Sequence, residues 1–360
     1  MLFALSLKGL EHNWLSPTVV TAVLDGLDAI DAGKAVVKWP TGAPAERQDW
    51  LKRRHGFRKK IHAFWKEYRG LAAHQKAIVR KALTDQTNLP AILSNDQACG
   101  VVQALPAMEK AISDLFVYMF GQLKSSDENA KCIRDEQYSA IYDELPRKIC
   151  PFCGLLHFRG PNGPRHALDH FMPISIYPFA GGDLRNLPPM CDECNETFKK
   201  AVDILYTPAK VRRRCSDPYA GPTYEVRLSQ SVWSAGKKER GFRLPQWQID
   251  FVNGPPEQAE SWDAIFKVRE RYSRDVLDAD FLTWIGNFAR WFNVQADATR
   301  DADGIVAKIQ PYIDMAIQEK FGDRAFLRAE VFRLVKTTCA SIQHGDEVKN
   351  WLLSMVENIG

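Results

Sequence analysis

No stretch of this 360-residue chain approaches the roughly 18 uninterrupted apolar residues that a membrane-spanning helix requires. Internal repeats and low-complexity tracts are also missing, which argues against solenoid and fibrous architectures. The opening segment MLFALSLKGLEHNW has no basic n-region and no small-residue cleavage site before Glu11, so a cytoplasmic protein is expected, with no membrane contact. Disorder is disfavoured as well. With 45% apolar and 26% charged residues, the chain can bury one large core or two to three smaller ones. Its eight cysteines would meet a reducing compartment, where cross-links are rare.

What is present is unevenly placed. The net charge of +4 conceals a segment from Arg47 to Lys81 with 12 Lys/Arg against 2 Asp/Glu. A second, from Arg147 to Cys215, carries 11 against 6. Positive charge concentrated in this way suits an anionic polymer, and nucleic acid is the natural partner. In the first segment Trp50, Phe57, Phe64, Trp65 and Tyr68 interleave with the cations. They fit either base-stacking residues or the buried face of amphipathic helices. Weaker basic clusters occur at Lys210 and Arg212 to Arg214, and at Gly236 to Arg243.

Residues 1–145 read as a helical region, with Ile112, Leu115, Phe116, Met119 and Phe120 at helical spacing and breaks near Asn88–Pro90 and Ser94–Gly100. Residues 146–216 change to short segments rich in Gly, Pro, Cys and Asn. Residues 217–256 hold two alternating runs, Thr223–Trp233 and Trp247–Gly254, expected to form strands joined through a charged turn. From 257 to 360 helices return, with an apolar stripe of Phe281, Trp284, Ile285, Phe288, Trp291 and Phe292. Further helices are expected over Gly304–Phe321, Arg324–Ala340 and Glu347–Glu357.

Four cysteines form two CxxC pairs, Cys150/Cys153 and Cys191/Cys194. A CxxC turn brings two thiolates to one ion, and two such turns complete the tetrahedral set that structural zinc prefers. A redox role is disfavoured, because neither pair lies in a βαβ context. Gly154 after the first pair fits a zinc knuckle, and the second pair leads into NETFKKAVDIL, a plausible helix. This is a treble-clef pattern.

Between and beside the pairs stand Asp169-His170, a proline-containing apolar stretch, the Gly181-Gly182 turn, Asn186-Leu187, and Asn195 directly after the last cysteine, with Lys199 and Lys200 nearby. In this order the segment from Pro146 to Val202 resembles the HNH (ββα-metal) endonuclease family. The resemblance implies a mainly α chain with a small α+β insert: a helical frame around a ββα-metal core stapled by zinc. It makes His170 the general base, Asn186 the residue that fixes the loop bearing it, and Asp169 and Asn195 the ligands of a catalytic divalent cation. Many members have histidine where this chain has Asn195; oxygen ligation favours Mg²⁺ or Mn²⁺. His166 reads either as an extra polar group at the site or as a loop histidine.

The chemistry is coherent. Phosphodiester hydrolysis needs an activated water and positive charge on the phosphate oxygens, and an imidazole takes a proton near neutral pH. Singly, Asp169 reads as a turn or cap residue, Asn186 as a turn former, Asn195 as an N-cap and His170 as a structural histidine. The zinc frame joins them into one pattern. LDHFMPISIYP and SDPY further resemble HNH effector nucleases of bacterial anti-phage systems such as Septu or type II Zorya, which implies a partner subunit, often an ATPase. The expected function is therefore metal-dependent cleavage or nicking of double-stranded DNA. A stand-alone restriction-type nuclease, an RNA-targeting nuclease and a non-catalytic zinc module that binds nucleic acid remain as alternatives.

Overall fold

The computed structural model describes residues 1–126, 131–163, 170–239 and 242–358. It is mainly helical, with little strand content. Contacts sort the chain into two compact units: Met1, Phe3–Phe152 and Leu156–Pro222 form one, and Leu2, Cys153–Leu155 and Thr223–Gly360 the other.

The first unit contains helices α1 (Leu15–Asp31), α2 (Ala45–Lys52), α3 (His55–Arg69), α4 (Ala73–Thr87), α5 (Leu89–Ser94), α6 (Pro106–Gln122) and α7 (Ile133–Glu144). The break expected at Asn88–Pro90 is a change of helix rather than a loop, since α5 begins at Leu89 with Pro90 in its first turn, where a missing N–H costs nothing. Phe57, Ile61, Phe64, Trp65 and Tyr68 follow helical spacing in α3 and are all buried. The aromatics of the basic segment therefore belong to the core and do not stack on bases. They pack with Val19, Val23 and Leu27 of α1 and with Ile112, Leu115, Phe116 and Met119 of α6. Gly26 is required where α1 meets α3, because a Cβ there would lie 2.0 Å from the Trp65 indole nitrogen.

The irregular segment after α7 is rooted in this same core, to which Phe179, Leu184 and Leu187 belong. The Phe179 ring meets Phe116 and Phe64 edge-on, with centroids 5.2 and 6.3 Å away. Burying a phenylalanine contributes roughly 1.5–3 kcal/mol, and here it fixes a chain that has almost no secondary structure of its own.

In the second unit the alternating runs pair as strands only at their outer parts, with one isolated antiparallel bridge, Val232 to Gln246, at the inner end. Strand β1 (Glu225–Arg227) and β4 (Asp250–Val252) are antiparallel, with Val226 opposite Phe251, while β2 (Lys238–Glu239) and β3 (Phe242–Arg243) make a minimal hairpin between them. Helices α8 (Pro256–Phe266), α9 (Val268–Arg271), α10 (Asp278–Asn293), α11 (Ala302–Glu319), α12 (Ala325–Cys339) and α13 (Gly345–Glu357) follow. The expected stripe of α10 is buried at Phe281, Trp284, Ile285, Phe288 and Phe292, while Trp291 is partly exposed against Tyr312. The three helices expected near the C-terminus are present within a few residues of their predicted ends. No described helix is long and apolar enough to cross a membrane.

Candidate metal centre and catalytic loop

Cys150 opens a tight hairpin. Ile149 and His157 form an antiparallel bridge, the Cys150 amide donates to Leu156 O at 2.9 Å, and the Phe158 amide donates to Lys148 O at 2.7 Å. Gly154 lies in the left-handed region at φ +67°, as the turn after a CxxC knuckle demands. Cys191 and Cys194 stand at the start of a short helix, Glu193–Lys199. The Sγ atoms of Cys150, Cys153, Cys191 and Cys194 all lie within 4.8 Å of one another, and all four residues are buried. Zn–S bonds of about 2.3 Å place tetrahedral sulfurs about 3.8 Å apart. The cluster is close to that size, and none of the four is in a disulfide. The amides of Cys191 and Leu155 point at Cys150 Sγ and Cys153 Sγ, each at 3.4 Å, which suits sulfurs that carry negative charge. Four buried cysteines so arranged can hold a metal ion, and structural zinc fits them.

The helix after the second pair is shorter than NETFKKAVDIL predicts. It has π-type turns, with the Lys200 amide reaching Asn195 O at 2.8 Å, and ends where Lys200 turns to φ 46°. Asp203 completes the redirection. Its Oδ1 accepts from Tyr177 Oη at 2.9 Å and from the Leu205 amide at 3.0 Å. Asn195 and Lys199 sit on this short helix with 4% and 1% exposure, and Lys199 Nζ donates to Lys200 O at 2.9 Å. Such π-turns are rare and collect at functional sites.

Asn186 is wholly buried and ties together the loop that begins at His170. Its Oδ1 accepts the Met172 amide at 2.7 Å, and its Nδ2 donates to Met172 O at 3.0 Å and Ala180 O at 3.2 Å. Its backbone carbonyl accepts the Phe171 amide at 2.7 Å. One amide side chain thus replaces the strand partner that residues 171–172 lack. No β-strand occurs among the described residues between the cysteine pairs.

His170, also buried, packs at 4.4 Å on the Phe120 ring, with Nε2 2.8 Å from Gly181 O. A carbonyl only accepts, so Nε2 carries the hydrogen and the lone pair of the neutral ring lies on Nδ1. The turn that supplies this carbonyl is closely packed, so a side chain there would have to displace a neighbour. A Cβ on Gly181 would lie 2.3 Å from Ile174 Cδ1, and one on Gly182 2.2 Å from Met119 Cε. Asp169 and His166 lie outside the described residues.

Several residues that hold this loop escape sequence reasoning. Gln86 of α4 accepts the Phe179 amide at 3.0 Å and donates to Gly100 O at 2.8 Å. Gln137 of α7 donates to Leu184 O at 2.9 Å, Leu187 O at 3.2 Å and Tyr219 Oη at 3.0 Å. Asn13 receives the Leu184 amide at 3.1 Å and gives Nδ2 to Asp183 at 2.9 Å. Burial pushes the Asp183 carboxyl up, against the Arg185 amide and Asn13, which favour its charged form. Arg185 pairs in turn with the buried Asp217. A polar residue on an otherwise apolar helix face is the only sequence signal these positions offer.

Comparison with known proteins returns nothing: no family model, curated protein or solved structure matches the chain.

Proposed function

We propose that the chain is an HNH-type endonuclease that hydrolyses phosphodiester bonds of double-stranded DNA. The observation that carries this reading is the pairing of Asn186 with the loop from His170. A buried amide braces the chain at Met172 and Ala180, and the next carbonyl, Gly181 O, orients the imidazole. That is the division of labour expected of a positioned general base and the residue that fixes it. His170 Nδ1 takes a proton from the attacking water, while Nε2–H on Gly181 keeps the ring from turning. The four-cysteine cluster holds the short helix that carries Asn195.

A hard divalent cation, Mg²⁺ or Mn²⁺, would be held by the Asn195 amide oxygen and the Asp169 carboxylate, a donor set of the right chemistry. It would supply positive charge to the scissile phosphate. The structure describes Asn195 of this pair, at 4% exposure.

For the substrate backbone, α3 offers a polar face. Arg58, Lys59, Lys66 and Arg69 are exposed and make no ion pair among the described residues, over a helix length of about 16 Å. The other basic clusters are largely spent on structure. Arg213 donates to Asp203 O and Tyr206 O, Arg214 pairs with Asp96, and Lys237 pairs with Asp278. An anti-phage effector role beside an ATPase subunit rests on the sequence resemblance alone.

The test is cleavage of supercoiled plasmid with Mg²⁺, Mn²⁺ or EDTA, beside His170→Ala. Metal-dependent nicking or linearisation that the variant lacks is expected. Equal cleavage by both proteins would remove His170 from the chemistry. Duplex binding in EDTA examines the cationic face separately. Replacing Arg58, Lys59, Lys66 and Arg69 with glutamine should flatten the log–log salt dependence by about 3.6, at 0.9 per phosphate contact.

A further inference from the structure

The second unit contains a cavity of about 320 Å³ between β1, the end of α11 and one face of α12. Its lining includes none of the four cysteines and no residue of the loop from His170 to Leu187. Phe326, Ala329, Glu330 and Arg333 line it at spacings of three and four along α12, so one whole helix face is turned to it. Its size falls within the usual range for small-molecule sites.

The polar groups are organised. Glu330 is 4% exposed, yet it carries a carboxylate into the cavity wall. Its Oε1 accepts from both Arg227 Nη1, at 3.3 Å, and Arg333 Nη1. The other oxygen, Oε2, accepts no hydrogen bond among the described residues. Arg227 also holds Glu225 at 2.5 Å. Two arginines and two glutamates therefore balance, and Lys320, exposed at the rim without an ion pair among the described residues, leaves the site cationic by one charge. The remaining wall is apolar: Ile317, Phe321 and Phe326, with the two phenylalanine rings 5.5 Å apart.

Glu330 Oε2 is accessible to water, whose place a ligand's donor can take. We propose that this cavity binds a small, flat aromatic anion that carries an N–H or O–H donor. The donor goes to Glu330 Oε2, the aromatic body lies against Phe321, Phe326 and Ala329, and the anionic group meets Lys320. A neutral apolar compound would displace water from Glu330 Oε2 without replacing its hydrogen bond, and a cation would meet Lys320.

The probe is 1-anilinonaphthalene-8-sulfonate, which has two aromatic systems, one N–H and one sulfonate. It is titrated by fluorescence into the full-length protein under native conditions. One saturable site of unit stoichiometry is expected. Lys320→Glu, a change at an exposed position, should weaken it about tenfold. Ala329→Trp, which fills the cavity, should remove it, with circular dichroism checking that the variant is folded. Absence of saturable binding to the folded wild type would overturn the proposal. So would binding that survives both substitutions unchanged. Neither result bears on plasmid cleavage, so this site and the nuclease reading stand or fall separately.

Discussion

The two halves of the candidate site are held by different means. The cysteine turns close on a position where four sulfurs converge, with Phe152 between the first pair buried against Phe171. The loop from His170 to Leu187 is instead fastened by side-chain amides and by aromatic anchoring. Asn186 braces it from within, Gln86 and Gln137 hold it from α4 and α7, and Phe179 sinks into the helical core. An ion can organise a turn of a few residues at a single point. A stretch of this length needs several attachments, each satisfying backbone groups that strands would otherwise have paired. The first half should therefore answer to metal and the second to mutation of uncharged residues.

The largest effect should separate them. Cys191→Ser removes one of four ligands, and because binding energy at such a site is folding energy, loss of solubility and of activity is expected. Metal analysis of the purified protein should fall from one zinc per chain to well below it. A folded, zinc-free and active Cys191→Ser protein would contradict the assignment.

Asn186→Ala should come next. It strips partners from the Met172 amide and carbonyl, at about 1–3 kcal/mol for each buried group left unsatisfied, while Ala180 O keeps the Asp183 amide. Zinc content should stay at one per chain while the urea midpoint and cleavage both fall. Loss of zinc in this variant would show that the two halves are one cooperative structure.

The smallest effect lies away from both. On Asp31, burial, which alone would raise the pKa, is outweighed by hydrogen bonds from Lys76, Arg80 and Tyr68, and its carboxyl sits at about 2. A depressed carboxyl stabilises the fold above its unfolded value of roughly 3.9. That contribution is lost as pH falls from there through about 2. Asp31→Asn should be less stable than wild type at neutral pH and should converge with it in acid, with zinc unchanged. The group is partly exposed, so the shift should be modest.

Much of this was legible where the signal is local. The cysteine pairs could be found because a CxxC spacing carries its geometry with it. The helices of the second unit could be found because Phe281 to Phe292 repeat at helical spacing. The ambiguity over Trp50 to Tyr68 could not be resolved from the segment itself, since what buries those rings is α1 and α6, distant in sequence. Lys200 ends its helix through a backbone conformation that its composition does not announce, and Asp203 helps only because Tyr177 is there to meet it. Gln86 and Gln137 reach partners 93 and 47 residues away, contacts that no local pattern encodes. The proposed nuclease role of His170, Asn186, Asn195 and Asp169 draws on their order in the chain and on the hydrogen bonds of Asn186 and His170, and the plasmid experiment tests it.

The burial of Phe179 among Phe64 and Phe116 sets the timescale on which the loop can open. Its amide is bonded to Gln86 and its ring packs in the interior of the helices, so the loop is expected to melt together with the first unit. Amide protons at Met172 and Phe179 should exchange with solvent only when the first unit opens as a whole, at the rate of the slowest helical amides. A loop so anchored should keep His170 in place up to the temperature at which the fold itself is lost.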